Sequence, residues 1–300
     1  MRDKRSVEGQ RTEPGTLYIV STPIGNLEDI TLRALKILRS TDLIAAENTA
    51  HTRKLCSHFG IETRVTNYNQ HNRKIKGPKL IEGLKKGLHI ALATNAGTPV
   101  ISDPGALLVR LAVEEGIRVS PIPGPSAAIA ALSVCALRVD NFLFLGFLSN
   151  RQGRRRKELN ELKDEQRTMV FFEAPHRMES MLRDMKEILG DRRVVILREL
   201  TKVFEEIRRG SVGAILEGLD KKKPKGEFTI VVEGKNNEKD RITIDSSIKK
   251  EIEGLLKKGG LGVKETAIYI SKEHGLPYRA VYGECLALKR VMGKRAHPLK

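Results

Sequence analysis

The residues that could carry out chemistry stand where apolar stretches of the sequence end. Glu47 follows the apolar stretch 42–46, and Glu173 follows the stretch 169–172, with His176 three residues later. A carboxylate or an imidazole can accept the proton of a hydroxyl nucleophile. The sequence therefore offers Glu47, Glu173 and His176 as candidate proton acceptors, although a lone histidine just after a proline is more often structural.

Three loops rich in glycine and proline follow three further stretches of strand character. The longest, 94–105, follows the stretch 89–93 and precedes a predicted helix at 106–115; the others are 22–27 and 123–128. Glycine lets a ligand approach the backbone, and proline fixes the chain and removes a donor. If the three strands are parallel, their loops share the carboxyl edge of one sheet, where open α/β sheets bind ligands. Taken singly, each could be a plain surface loop.

The chain carries a large positive charge. It has 54 Lys and Arg against 37 Asp and Glu in 300 residues, a formal net charge of +17. Such a surplus predicts a polyanionic partner, with nucleic acid foremost, because phosphate contacts release counterions. The alternative is a lysine-rich protein with solvated faces. The sequence shows no basic amphipathic helix with aromatic anchors, which argues against a membrane surface as the partner.

Other features of the composition limit the class of protein. No apolar run of about 18 residues exists, so we expect no membrane-spanning helix. Cys56, Cys135 and Cys285 lie far apart without the spacing of metal ligands, which predicts structural thiols in a reducing cytoplasm and no metal site. Residues 1–14 alternate charges without an apolar core, so we expect a disordered tail and not a secretory signal.

A dense basic cluster is a candidate contact for a polyanion. Five cations stand at the start of a predicted helix that runs to residue 163: Arg151, Arg154, Arg155, Arg156 and Lys157. Cations at a helix N-terminus oppose the helix dipole, so phosphate contact is the functional interpretation and a solvated loop is the alternative. The lysine-rich turn 221–226 offers a similar contact, or only a soluble hairpin.

The order of the predicted elements indicates the fold class. Strand-like and helix-like stretches alternate along residues 15–122, which predicts an α/β domain with a parallel sheet covered on both faces. A second α/β domain is predicted at 123–235. After a charged linker at 236–241, residues 245–300 give three helices with spacing like a helix-turn-helix, a small module that could contact nucleic acid or only pack.

The motifs together resemble the tetrapyrrole-methylase superfamily. The three loops, with Ala-Glu-Asn-Thr-Ala-His-Thr at 46–52 and Phe-Glu-Ala-Pro-His-Arg at 172–177, are similar in order to its branch of 16S rRNA (cytidine-2′-O)-methyltransferases I. The resemblance covers about 15–234. The branch usually has Asp where Asn48 and Asn95 stand, and Arg where Ala50 stands.

This resemblance implies that S-adenosylmethionine binds in the cleft between the two α/β domains. Thr98 and Ser126 would make polar contacts, and Asp103 would hold a ligand amine or ribose hydroxyl unless it caps the following helix. The matching loop positions that would bind the cofactor are Pro23, Gly25, Asn95, Ala96, Gly97, Thr98, Asp103, Pro123, Gly124, Ser126 and Ala127.

The resemblance also implies a reaction and partners. The expected activity is 2′-O-methylation of a cytidine ribose in 16S rRNA of the 30S subunit, by a cytoplasmic homodimer. Arg177 could hold a phosphate with two of its guanidinium nitrogens, and Glu199 with Lys202 could contact substrate or form a buried ion pair. The alternatives are a methylase of a corrinoid or tetrapyrrole precursor and an RNA-binding factor without catalysis.

Overall fold

The structure is a computed structural model of one chain. It describes residues 13–219, 226–235, 244–257 and 261–296, with the backbone alone at 279 and 290–296. The predicted linker 236–241 and nearly all of the predicted tail 1–14 and turn 221–226 lie outside these residues. The chain divides into two compact units, residues 1–235 and 236–300. The domain boundary placed at residue 122 stays a prediction.

The first sheet has five parallel strands in the order β3-β2-β4-β1-β5. The strands are β1 (Thr16–Val20), β2 (Leu43–Ala46), β3 (Val65–Asn67), β4 (Ile90–Ala93) and β5 (Arg118–Ile122). Val20 at the end of β1 is in register with Ala93 of β4 and Ile122 of β5. The three glycine- and proline-rich loops therefore leave the same edge of the sheet, as the sequence predicted.

Helices cover both faces of this sheet. They are α1 (Leu32–Ser40), α2 (Thr49–His58), α3 (Arg73–Lys85) and α4 (Ala106–Glu114). Buried side chains of α1 and α2 pack on one face, and those of α3 and α4 pack on the other. All four residues of β4 are buried, as is typical of a parallel strand covered on both sides.

The second sheet is mixed, with strand order β6-β7-β10-β8-β9. Its strands are β6 (Phe142–Gly146), β7 (Thr168–Glu173), β8 (Arg193–Arg198), β9 (Glu206–Ser211) and β10 (Phe228–Val232). Only the β6–β7 pair is parallel; β10 runs antiparallel to β7 and β8, and β9 antiparallel to β8. The sequence did not predict β9, because Glu-Ile-Arg-Arg-Gly-Ser lacks an apolar alternation.

Four helices surround the second sheet: α5 (Ala127–Val134), α6 (Gln152–Glu161), α7 (Met178–Leu189) and α8 (Val212–Glu217). The short α5 packs on one face through Ala128, Ala131 and Leu132. The other three helices build the core on the opposite face, where α7 contributes six buried apolar residues. The chain passes from the first sheet to the second at α5. Two sheets, each covered by helices, confirm the predicted α/β fold class.

The second unit contains α9 (Ser246–Lys257), α10 (Val263–Glu273) and α11 (Tyr278–Ala296). Ile252, Ile270 and Val281 bring the three helices together in a small apolar core. Gly275, with φ of 63°, lies in the turn between α10 and α11, where a left-handed conformation favours glycine. In the described part of the chain, no helix has the length and apolar character needed to cross a membrane.

Candidate active site

A cavity of about 420 Å³ opens at the carboxyl edge of the first sheet, and residues of both sheets line it. Its volume falls within the range of small-molecule sites, ~300–1,000 Å³. The cavity brings together seven of the residues predicted to bind a cofactor and two of the three candidate proton acceptors: Asn95, Ala96, Gly97, Thr98, Asp103, Ser126, Ala127, Glu47 and Glu173.

Hydrogen bonds tie the three loops of the first sheet together. The backbone N–H of Thr22 donates to Gly97 O over 2.9 Å, and that of Gly97 donates back to Thr22 O over 3.0 Å. The Thr98 hydroxyl lies 2.9 Å from the Ser21 hydroxyl in a further hydrogen bond and donates to Pro125 O of the third loop over 3.4 Å. Gly97 has a φ of 79°, which a residue with a Cβ adopts at a cost. The loop edge is therefore a fixed surface of backbone and hydroxyl groups.

Glu47 is oriented by the loop that follows β4. Its Oε2 accepts from the Thr94 hydroxyl over 2.8 Å and from the backbone N–H of Asn95 over 3.2 Å. Two donors on one carboxylate oxygen fix its position, so Glu47 presents an oriented carboxylate to the cavity.

Asp103 is a partly buried carboxyl group beside Glu47. Burial, opposed by the Thr94 hydroxyl and reinforced by the negative Glu47, raises the pKa of Asp103 to about 6. The capping alternative for this residue is wrong, because α4 begins after Gly105 and has no side-chain cap. Asp103 faces the cavity instead, and a cationic ligand group there would favour its ionised form.

Glu173 faces the same cavity from the end of β7. Its Oε1 accepts from the backbone N–H of Ala174 over 2.8 Å and lies 3.1 Å from Arg177 Nε. Burial raises the pKa of Glu173, against the opposing effects of the Ala174 N–H and the Arg177 charge. Its other oxygen, Oε2, is buried and has no hydrogen-bond partner among the described residues.

Asn95 provides a second buried acceptor without a donor. Its Oδ1 has no hydrogen-bond partner in the described part of the chain, although the residue lines the cavity. Buried polar atoms are nearly always paired in folded proteins. The two acceptors, Asn95 Oδ1 and Glu173 Oε2, therefore indicate where donors of a ligand would bind.

Asn48 and Ala50, the other two positions that differ from the usual residues of the branch, lie outside the cavity lining. Asn48 caps α2, because its Oδ1 accepts from the backbone N–H groups of Ala50 and His51 over 3.0 and 3.2 Å. An aspartate would make the same cap, so the amide costs no helix contact. Ala50 is exposed and lies outside the cavity lining.

Several predicted site residues do not line the cavity. Pro23, Gly25, Pro123 and Gly124 belong to the loops but lie outside the lining. A Cβ on Gly25 would stand 2.5 Å from Lys202 Cγ, and one on Gly124 would stand 2.9 Å from Ser21 Cβ. These glycines therefore permit close packing of loops. His176 is exposed and outside the lining.

The basic cluster divides into a buried and an exposed part. Arg155 is 3 % exposed, and its guanidinium binds Asp184 of α7 over 2.6 and 2.8 Å. Arg156 also pairs with Asp184, over 3.1 Å, and with Glu187. These two arginines, predicted to contact RNA, join α6 to α7 instead, because the helical turn points them at the acids of the neighbouring helix.

The remaining cations of the cluster are free for a partner. Arg151, Arg154 and Lys157 are exposed, and none of the ion pairs between described residues includes them. Their spacing of three residues places them close to one face of α6. They form a basic surface, which we call the α6 basic face.

Arg177 and Lys202 are engaged within the protein. Arg177 donates to the carbonyl oxygens of Leu148 and Ser149 over 2.8 and 3.0 Å and so fixes the segment after β6. Lys202 Nζ donates to Glu199 Oε1 over 2.8 Å and to Glu227 Oε2 over 2.9 Å. Of the two alternatives left open for Lys202, the ion pair is the one that the structure contains.

Sequence reasoning missed the apolar part of the lining. Phe147, Phe172 and Phe228 reach the cavity from three strand ends of the second sheet, and Ile101 reaches it from the first. Phe172 directly precedes Glu173 in the motif 172–177, and this neighbourhood is a sequence signal that Phe172 lies near the cavity. No local signal marks Phe147 or Ile101, since their exposure to the cavity depends on how the two sheets face each other.

Comparisons with known proteins agree with this geometry. A sequence model of the family described as tetrapyrrole (corrin/porphyrin) methylases matches residues 16–216. The ribosomal RNA small subunit methyltransferase I of Bacillus subtilis is 42 % identical over 286 residues, 94 % of this chain and 97 % of that protein. The protein of the same name from Thermotoga maritima is 48 % identical over 221 residues, 74 % of this chain and 99 % of its own length.

A solved structure supports the fold. Uroporphyrin-III-C-methyltransferase from Thermus thermophilus superposes with a TM-score of 0.54 at 20 % identity, over 72 % of this chain and 94 % of that one. At this identity the likeness concerns the fold alone. From the family match over two thirds of its length and from its curated relatives, this chain belongs to the tetrapyrrole methylase family, in the branch of the small subunit methyltransferase I proteins.

Proposed function

We propose that this chain is an S-adenosylmethionine-dependent methyltransferase that methylates the ribose 2′-hydroxyl of a cytidine in the RNA of the small ribosomal subunit. The names of its relatives support ribosomal RNA of the small subunit as the substrate. The ribose hydroxyl and the cytidine come from the motif resemblance at 46–52 and 172–177.

The observation that carries the proposal is the charge of the cavity. In a chain with a net charge of +17, the lining residues among those described include Glu47, Asp103, Glu173 and Glu227 but no Lys, Arg or His. S-adenosylmethionine carries a cationic sulfonium and an ammonium group, with further donors on its ribose and adenine. The acids and the unpaired acceptor Asn95 Oδ1 complement that set of groups, and the second unpaired acceptor, Glu173 Oε2, is left for the substrate.

The loops of the first sheet would hold the cofactor. Thr98 and Ser126, with the backbone of 95–97, offer donors and acceptors at close approach. Asp103 and the neighbouring Glu47 would bind the ammonium group. The cofactor supplies a methyl group on a sulfonium that is already a good leaving group, so positioning accounts for most of the rate enhancement that the protein must provide.

Glu173 is the best placed acceptor for the hydroxyl proton. Glu47 is held by Thr94 and Asn95, and His176 lies outside the cavity. Glu173 instead has a buried oxygen without a partner in the described chain, and burial raises its pKa, which makes it a better base. As the bond from the ribose oxygen to the methyl carbon forms and the bond from that carbon to sulfur breaks, Glu173 Oε2 would take the proton of the hydroxyl, and the neutral thioether S-adenosylhomocysteine would leave.

The RNA backbone would bind outside the cavity. The α6 basic face offers three exposed cations without ion pairs among the described residues, and phosphate contacts of this kind supply much of the affinity for RNA. We further propose that the enzyme acts as a homodimer in the cytoplasm, where its ribosomal substrate is found.

Transfer of a labelled methyl group tests the proposal. Small subunits from cells that lack this protein are incubated with the enzyme and radiolabelled S-adenosylmethionine, and the RNA is mapped with nucleases. We expect label at one cytidine whose 3′ bond resists alkali, since a 2′-O-methyl group blocks that cleavage. Cofactor binding without label would indicate a different substrate, such as a tetrapyrrole precursor. Binding of RNA without binding of the cofactor would indicate a factor without catalysis.

A further inference from the structure

We infer that Phe147 and Ile101 form a clamp for the base of the nucleotide whose ribose is methylated. The inference rests on the proposed function and extends it to the residues that position the target. Both side chains line the cavity, yet Phe147 is 56 % exposed and Ile101 is 49 % exposed. Large apolar side chains left open inside a ligand cavity indicate an apolar surface of the ligand.

The two side chains come from different sheets, next to a close contact between them. Phe147 follows Gly146 at the end of β6, and Ile101 precedes Ser102 in the loop after β4. A Cβ on Gly146 would stand only 2.7 Å from Ser102 Oγ, so the Ser102 side chain lies against the Gly146 backbone. Phe147 and Ile101 are the chain neighbours of this contact, and both line the cavity.

The backbone at this contact is held in an unusual conformation. Val100 has a φ of 80°, Ser102 a φ of 62° and Gly146 a φ of 60°. A β-branched residue with positive φ is a true outlier, and such residues concentrate at functional sites, where the surrounding structure holds them. Ile101, which lines the cavity, lies between the two non-glycine outliers.

A flat aromatic ring is available to a base on this side of the cavity. The Phe147 ring packs against Phe172 at a centroid distance of 5.6 Å, and Phe172 in turn packs edge-on against Phe144 at 5.1 Å. The Phe147 ring is thus supported by Phe172, while the residue as a whole stays 56 % exposed. Proteins that read unpaired nucleotides stack the base on rings of this kind.

The position of Phe147 also fits the path of an RNA strand. Arg151, the first cation of the α6 basic face, lies four residues after Phe147, within about 14 Å even for an extended chain. Arg177 fixes the segment between them through Leu148 O and Ser149 O. A nucleotide can therefore place its base on Phe147 and its ribose at Glu173 while a neighbouring phosphate reaches the basic face. With the cofactor bound at the loops of the first sheet, a cavity of about 420 Å³ would leave the base at the exposed side chains of Phe147 and Ile101.

Methyl transfer to small subunits by substituted full-length enzymes tests the clamp. We expect Phe147→Ala to lower kcat/KM for the small subunit by about 5- to 150-fold, the value of stacking one base on an aromatic ring. Phe147→Leu should lower it as well, because it keeps apolar bulk but removes the ring, and Phe147→Tyr should restore it. Ile101→Ala should lower kcat/KM in the same direction. The Kd for S-adenosylmethionine, measured by calorimetry, should not change.

Phe142→Ala is the matched control. Phe142 is the first residue of β6, is 40 % exposed and lies outside the cavity lining, so its loss should leave kcat/KM as in the wild type. If the wild type is active and Phe147→Ala has the same kcat/KM, the clamp is rejected while the proposed function stands. A parallel loss of cofactor affinity in Phe147→Ala would overturn it too, because the ring would then serve the cofactor. A wild type without transfer would reject the proposed function, and the clamp with it.

Discussion

Replacement of Asp103 by asparagine tests the electrostatic design of the cavity. With a pKa of about 6 against about 3.9 for an unperturbed aspartate, the folded chain binds the Asp103 proton more tightly than the unfolded chain does. Stability must therefore fall as the pH rises from about 4 to above 6. The linkage relation gives a loss of about 1 kcal/mol at pH 4.5 and about 3 kcal/mol at pH 7.5.

The asparagine side chain does not ionise in this pH range, so the stability of Asp103→Asn does not fall for this reason. We expect urea unfolding to show that the free energy of unfolding of Asp103→Asn, minus that of the wild type, increases by about 2 kcal/mol between pH 4.5 and pH 7.5. Asp140→Asn is the control, because Asp140 is 74 % exposed and pairs only with the exposed Arg138. Equal pH dependence of wild type and Asp103→Asn would refute the burial argument.

The same carboxyl group should link cofactor binding to pH. If the ammonium of S-adenosylmethionine returns the pKa of Asp103 to its ordinary range, the cofactor affinity of the wild type rises about tenfold between pH 5 and pH 7.5. Calorimetry across this range should find the rise in the wild type and in Asp140→Asn but not in Asp103→Asn. A rise of the same size in Asp103→Asn would assign the ammonium to another group.

Three further substitutions test the other assignments. Glu173→Gln should lower kcat by about 10²- to 10⁴-fold with the cofactor Kd unchanged; a kcat near that of the wild type would exclude Glu173 as the proton acceptor. Asp184→Ala leaves Arg155 buried without its partner and should cost about 3–5 kcal/mol in urea unfolding, against less than about 1 kcal/mol for the exposed Arg183→Ala on the same helix; equal losses would contradict the buried pair. Arg154→Ala should reduce the salt dependence of RNA binding by ~0.7–0.9 in the log–log slope, and an unchanged slope in a filter-binding titration would remove Arg154 from the RNA surface.

The sequence predicts the first sheet and its loop edge well because both depend on local patterns. Short apolar stretches followed by glycine and proline define strand ends, and parallel pairing then brings the loops at 22–27, 94–105 and 123–128 to one edge. Thr98 and Ser126 were expected in the cavity for this reason, and the structure places them there. The second sheet is less regular: β9 is built from polar residues that become a strand only by pairing with β8.

The basic cluster shows what sequence alone cannot supply. Arg154 and Arg155 are adjacent and chemically identical, yet the first is exposed and the second is 3 % exposed. The difference arises from Asp184, which lies 29 residues later on α7. Charge density along the chain predicts that a polyanion is bound, whereas the packing of α6 on α7 decides which cations remain to bind it.

The distribution of charge accounts for how one protein can bind two ligands of opposite sign. A cationic cofactor and a polyanionic RNA would compete if acids and bases were mixed around a single site. Here Glu47, Asp103 and Glu173 face the cavity, while Arg151 and Arg154 lie exposed at α6. In the proposed function the acids would attract the sulfonium and keep phosphates from the cavity, so that the uncharged part of a nucleotide, its ribose and base, would be the part that enters. Glu173 Oε2, the one buried carboxylate oxygen without a partner in the described chain, would then be the oxygen that accepts the hydroxyl proton.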